Sequence, residues 1–114
     1  MNTNKITGDK AERLAEDALR QNKFEILEKN FRYKRAEIDL IAKQDALILF
    51  VEVKYRKNEN YGYPEEFVSE NQQRLILEAA DHYLNQIDWK GEIRFDIMAV
   101  SSDLKITHFE DAFH

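Results

Sequence analysis

The chain has 114 residues, 34% of them charged, with a net charge of −5, no cysteine and a single proline. That composition excludes disulfides, thiolate metal sites and cysteine nucleophiles. With no apolar run near the ~18–20 residues that cross a bilayer, it points to one soluble, cytoplasmic domain over residues 1–114 with no membrane partner. The opening Met1-Asn2-Thr3-Asn4-Lys5 lacks the apolar segment of a signal peptide.

Asp9 to Asn22 reads as the first helix, with Asp9 and Glu12 as an Asp-x-x-Glu capping box and Ala11, Leu14, Ala15, Ala18 and Leu19 as one apolar stripe. At about 100° per residue, Glu12 lies about 20° from Leu19, so its carboxylate points towards the body of the protein. Phe24 to Lys34 reads as a ragged first strand near a sheet edge. Two strands follow, around Glu37-Ile38-Asp39-Leu40-Ile41 and Phe50-Val51-Glu52-Val53-Lys54. Lys57 to Phe67, with Gly62 and Pro64, reads as an irregular lid or substrate-contact loop. Ser69 and Gln72 form a capping box for a second helix running to about Gln86, whose stripe includes Leu75, Ile76, Ala79, Ala80 and Tyr83. Glu92 to Val100 and Leu104 to Phe109 complete an order α-β-β-β-α-β-β, which fits an α/β sandwich with a mixed β-sheet flanked by helices.

The central strands carry charged residues two apart, which is strand spacing, so each pair shares a face. A hairpin with an even-numbered loop centred on Asp45-Ala46 sets Asp39 opposite Glu52 and Glu37 opposite Lys54. One face then collects Ile38, Leu40, Ala42, Leu47, Leu49, Val51 and Val53. The other collects Ile41, Ile48 and Phe50, followed by the charged group. Two carboxylates facing across a strand pair repel and destabilise a sheet unless they are used. The simplest use is to hold a hard divalent cation such as Mg²⁺, with Glu12 and the Val53 carbonyl as further candidate ligands. Lys54, on the same face, would serve a scissile phosphate or an attacking water. The competing reading is a structural ion cluster held by Lys54, Lys34 or Arg56 without metal. Glu37 then forms a cross-strand pair and Glu12 caps its own helix.

Positive charge gathers beside this group: Lys29, Arg32, Lys34 and Arg35 come without an acid until Glu37, and Lys54, Arg56 and Lys57 flank Tyr55. From Glu78 onward there are eight acids against three bases. The distribution favours a phosphate-bearing partner at the cluster despite the acidic sum. His82, His108 and His114 show no zinc spacing, and Phe31, Tyr33, Tyr61 and Tyr63 read as core, edge or loop-pinning residues.

Asp39 followed after twelve residues by Glu52-Val53-Lys54 resembles the D…(D/E)-x-K signature of the PD-(D/E)XK, or restriction-endonuclease-like, nucleases. The chain is similar over nearly its whole length to the YraN family of small bacterial proteins. The similarity runs through Gly8-Asp9-Lys10-Ala11-Glu12, Ala36-Glu37-Ile38-Asp39-Leu40-Ile41, Phe50-Val51-Glu52-Val53-Lys54-Tyr55-Arg56, Tyr61-Gly62-Tyr63-Pro64-Glu65-Glu66 and Ile106-Thr107-His108-Phe109-Glu110-Asp111-Ala112-Phe113. The resemblance implies a restriction-endonuclease-like fold and a nuclease related to Holliday-junction resolvases. Asp39, Glu52 and Lys54 would be catalytic, Asp39, Glu52 and Glu12 would hold Mg²⁺ or Mn²⁺, and Glu37 would be an additional site residue. Lys34, Arg35, Arg56, Lys57 and Arg74 would contact the backbone of DNA, branched or otherwise structured. Ala36 stands where the family has glycine, and Asn71-Gln72-Gln73 stands where it has a lysine. A symmetric homodimer is how small nucleases of this kind cut two strands. Two other expectations compete: a non-catalytic nucleic-acid-binding module, and a protein-interaction adaptor whose acidic carboxy-terminal half meets a basic partner.

Overall fold

The computed structural model describes residues 3–56 and 68–113, and the side chains of residues 8–56 and 68–113. Lys57 and the loop carrying Tyr61, Gly62, Tyr63 and Pro64 lie outside the described residues. The elements are α1 (Thr3–Gln21), β1 (Glu25–Tyr33), β2 (Ala36–Gln44), β3 (Leu47–Arg56), α2 (Glu70–Gln86), β4 (Glu92–Ser101) and β5 (Ile106–Phe109), in the order expected from the sequence. α1 begins six residues earlier than Asp9, so Asp9 is interior and caps nothing. Gly8 costs a helix about 1 kcal/mol relative to alanine, too little to end it. α2 starts where expected: the Ser69 side chain accepts from the Gln72 N–H, and Gln72 Oε1 accepts from the Ser69 N–H.

The five strands lie in the order β1-β2-β3-β4-β5. Every neighbouring pair is antiparallel except β3 and β4, which run parallel. A parallel pair needs a crossover, and α2 supplies it. β3 and β4 form the middle of the sheet, and Ile48 through Glu52 are buried without a break. A helix covers each face. Ala15 and Leu19 of α1 pack on Leu40, Ala42, Leu49, Val51 and Met98. Ile76, Ala79, Ala80 and Tyr83 of α2 pack on Ile41, Ile48, Phe50, Phe95 and Ile97. Each fully buried aliphatic or aromatic side chain contributes about 1.5–3 kcal/mol, so the two cores fix the helices firmly on their faces.

The central hairpin adopts the expected register, from Gln44↔Leu47 at the turn to Leu40↔Val51. There it stops. Beyond that point β2 stays paired with β1 as far as Tyr33↔Ala36, while β3 stays paired with β4 as far as Arg56↔Ser101. The sheet therefore forks between β2 and β3, and Asp39 and Glu52 are the first residues inside the fork.

Simple alternation fails at the same place. Ile38 was expected on the face of Leu40, yet it belongs with Ala36 and Ile41 to the core under α2. Its partner across the strand pair, Phe31, packs there too, whereas Leu40 packs under α1 and its partner Lys29 reaches Glu16 of α1 at 3.5 Å. Both strands thus change face at Asn30 and Asp39. The cause is in β1: Asn30 has φ 54°, the left-handed region that asparagine tolerates better than most residues, and a bulge lies just before it between Ile26 and Glu28.

Candidate functional site

At the mouth of the fork a side chain takes over from the lost ladder. The Val53 N–H donates to Asp39 Oδ2 at 2.7 Å. This bond holds Asp39 beside Glu52, whose own side chain is buried at 9% exposure. Glu52 Oε1 has no hydrogen-bond partner, the only such buried side-chain atom among the described residues. Leaving a buried acceptor unsatisfied costs about 1–3 kcal/mol, and more when it is charged. Burial pushes the Glu52 carboxyl up to about 8; the Asp39 and Glu37 charges add to this, against Lys54 and the Asp39 N–H. Asp39 is also raised, by burial and by Glu37, although the Val53 N–H and Lys54 favour its charged form. Near neutral pH the fork thus retains a proton that a cation can replace.

Asp39, Glu52 and Lys54 open into a common cleft of about 340 Å³, closed on the α2 side by Gln72, Leu75 and Ile76. Arg35, exposed in the β1–β2 turn, reaches the same cleft. Lys34 beside it is turned elsewhere, with Nζ 5.2 Å above the Tyr33 ring. Tyr33 stacks on His82 of α2, ring centroids 4.1 Å apart, which pins the turn to the helix. Arg74 donates to Asn71 Oδ1, and Arg56 Nη1 to the Tyr55 carbonyl at 2.8 Å. Of the cations expected to meet phosphate, Arg35 and Lys54 line the cleft; Lys34, Arg56 and Arg74 do not.

Glu37 lines the same cleft as Asp39, Glu52 and Lys54, but not as the cross-strand partner of Lys54. Glu37 was expected opposite Lys54; instead it pairs with Arg32 on β1 at 3.2 Å. Its other neighbour is Glu12. The Asn30 amide, oriented so that its nitrogen faces the carboxylates, donates to Glu12 Oε1 at 3.1 Å and Glu37 Oε1 at 3.0 Å. Glu12 is itself raised, by burial and then by Asp39, Glu37 and Asp9. It points inward as the helical pattern required, and it feels Asp39. Among the described residues, however, no three histidine, aspartate or glutamate side chains converge to enclose an ion. Two strand-borne carboxylates, one of them with an orphaned oxygen, still suit a hard cation such as Mg²⁺, which keeps several waters and needs only one or two carboxylates.

A second charged cluster escaped the sequence reading. Asp96 on β4 is completely buried, yet fully partnered. Arg94 Nε and Nη2 donate to its two oxygens at 2.9 Å each, His108 Nε2 lies 2.7 Å from Oδ2, and the Asp111 N–H donates to Oδ1 at 3.0 Å. Burial opposes its ionisation, but His108, Arg94 and the Asp111 N–H outweigh it and hold the carboxyl below its ordinary value. The available signal was Arg94-x-Asp96, the same two-residue spacing that marks Glu52-x-Lys54, with His108 on the neighbouring strand.

Residues 11–100 match the family described as "Uncharacterised protein family UPF0102". Among similar chains, the UPF0102 protein of Cytophaga hutchinsonii is 43% identical over 93 residues, covering 82% of each chain. That of Christiangramia forsetii is 40% identical over 109 residues, covering 93% of this chain and 92% of the relative. That of Clostridium beijerinckii is 40% identical over 116 aligned positions, covering 96% and 94%. With most of its length, including the forked strands, inside the family match, the chain belongs to the UPF0102 family.

Proposed function

We propose that the protein is a divalent-metal-dependent nuclease of the PD-(D/E)XK type that hydrolyses DNA phosphodiester bonds, with branched or otherwise structured DNA as its substrate class. The observation carrying this reading is the unpartnered, buried Glu52 Oε1 beside Asp39 in a fork that also presents Lys54 and Arg35. Asp39 and Glu52 would hold Mg²⁺ or Mn²⁺, with Glu12 supporting them from the α1 side. When bound, the ion supplies an acidified water and a counter-charge for the phosphoryl oxygen. Asp39 keeps its carboxylate in place through the Val53 N–H. Lys54, whose ammonium already favours the charged forms of both carboxylates, offsets phosphate charge and orients the attacking water by donating to its oxygen. Arg35 grips the DNA backbone at the cleft mouth, a contact that positions without reading sequence.

Cleavage of linear, single-stranded, flapped and four-way DNA with Mg²⁺ or Mn²⁺ tests this reading. Asp39→Ala is expected to abolish cutting, and Lys54→Ala to slow it about 10²–10⁴-fold, both remaining folded. One observation favours a non-catalytic DNA-binding module instead: no three ligands converge among the described residues. Salt-dependent binding of the same substrates without cutting would establish that module and end the nuclease reading.

A further inference from the structure

We propose that Asn30 is a positioning residue of the carboxylate site: its side-chain amide clamps Glu12 of α1 to Glu37 of β2 and thereby fixes the helix-borne carboxylate beside the fork. The inference rests on the metal-site reading above and deepens it. Asn30 sits across from Asp39, between the register pairs Lys29↔Leu40 and Phe31↔Ile38. Its φ of 54° breaks the alternation of β1 and brings its side chain to the α1 side. There, with the amide turned so that its nitrogen rather than its oxygen faces these two acceptors, its two hydrogens meet both carboxylates, at 3.1 Å and 3.0 Å. Two neighbouring carboxylates repel, and a neutral double donor between them relieves the repulsion without cancelling the charge a cation needs. An arginine or lysine at this position would neutralise the site; serine or threonine has only one hydrogen to give.

A purely backbone role would explain asparagine equally well, since it tolerates the left-handed region. Glycine separates the two. Asn30→Gly keeps, or eases, that backbone conformation and removes only the amide. The first measurement is Mn²⁺ titration by calorimetry of the full chain and of Asn30→Gly, with metal-free thermal unfolding beside it. A supporting residue of this kind is expected to change metal affinity about 10–100-fold when lost, with the unfolding midpoint moving only a few degrees. Unchanged Mn²⁺ affinity in Asn30→Gly, while the wild type binds, would overturn the role of Asn30 alone. A wild-type chain that takes up no Mn²⁺ would overturn the metal site and this inference together.

The metal-free arm is a double-mutant cycle of Asn30→Gly with Glu37→Gln, read by urea unfolding. A clamp predicts that the second substitution shifts the midpoint much less once the first is in place. Simple addition of the two shifts would show that the amide and Glu37 are not coupled, and the clamp would be wrong.

Discussion

Glu52 and Asp96 are buried carboxylates on adjacent parallel strands, barely one residue apart in register, since Asp96 pairs with Val51 and Ile97 with Glu52. Their surroundings are opposed. Asp96 is surrounded by donors from β4, from β5 and from the backbone beyond it, and its carboxyl is held low. Glu52 has an oxygen facing nothing and a carboxyl pushed up to about 8. The fold bonds both oxygens of one buried acid and leaves one oxygen of the other without a hydrogen bond. The first arrangement locks structure: Asp111 is tied to Asp96, the next N–H, of Ala112, donates to the Phe95 carbonyl at 2.7 Å, and Phe113 stacks on Phe95. The second leaves an acceptor unbonded, which is the ground for proposing a cation there.

The largest contrast is expected in stability. Asp96→Asn removes the charge on which Arg94 and His108 converge, and should cost about 3 kcal/mol in urea unfolding, as breaking a buried ion pair does. A loss below about 1 kcal/mol would mean the Asp96 cluster is not structural.

Next comes pH. The folded Glu52 carboxyl lies above its unfolded value, so its contribution to stability is complete at acid pH and is lost as pH rises towards and through about 8. Asp39 and Glu12 slope the same way. Asp96 slopes the other way: its contribution is present above the ordinary aspartate range and is lost as pH falls through its lowered folded value. Metal-free Glu52→Gln should therefore gain on the wild type between pH 5 and 9, reaching on the order of a few kcal/mol. Parallel stability curves for the two proteins would contradict the raised Glu52 carboxyl.

Smaller is the effect of His108→Phe, expected to cost about 1–2 kcal/mol, because Asp96 keeps Arg94 and the Asp111 N–H. A loss equal to that of Asp96→Asn would make His108, rather than Arg94, the centre of the cluster. Smallest is Ser69→Ala, which breaks the α2 capping box at about 1 kcal/mol. Lying outside both clusters, it should cost the same with and without Mn²⁺.

Periodicity placed the elements, both faces of β3 and the hairpin register, because core burial enforces period two wherever a strand has a helix on each side. It placed Glu52 and Lys54 together for that reason. It misplaced Ile38 and the partner of Glu37, which shares the cleft with Lys54 but pairs with Arg32, because alternation carries no information about a residue with positive φ, and Asn30 on the partner strand is such a residue. The first turns of α1 were missed because Asp9 and Glu12 imitate a capping box inside a helix. The Asp96 cluster was missed because its donors come from Arg94, His108 and a backbone N–H, a convergence that exists only after β5 pairs with β4. Asn30 carries no charge, so nothing in composition marked it.

We propose that the fork binds a divalent cation and is not an ion cluster complete in itself. Thermal unfolding at pH 8 with and without Mn²⁺, for the wild type and Glu52→Gln, tests it most directly. The account predicts a wild-type midpoint that rises with Mn²⁺ concentration, as mass action requires of a ligand that binds the folded state, and a Glu52→Gln midpoint that does not move. Equal Mn²⁺ shifts in both proteins, or none in either, would contradict it.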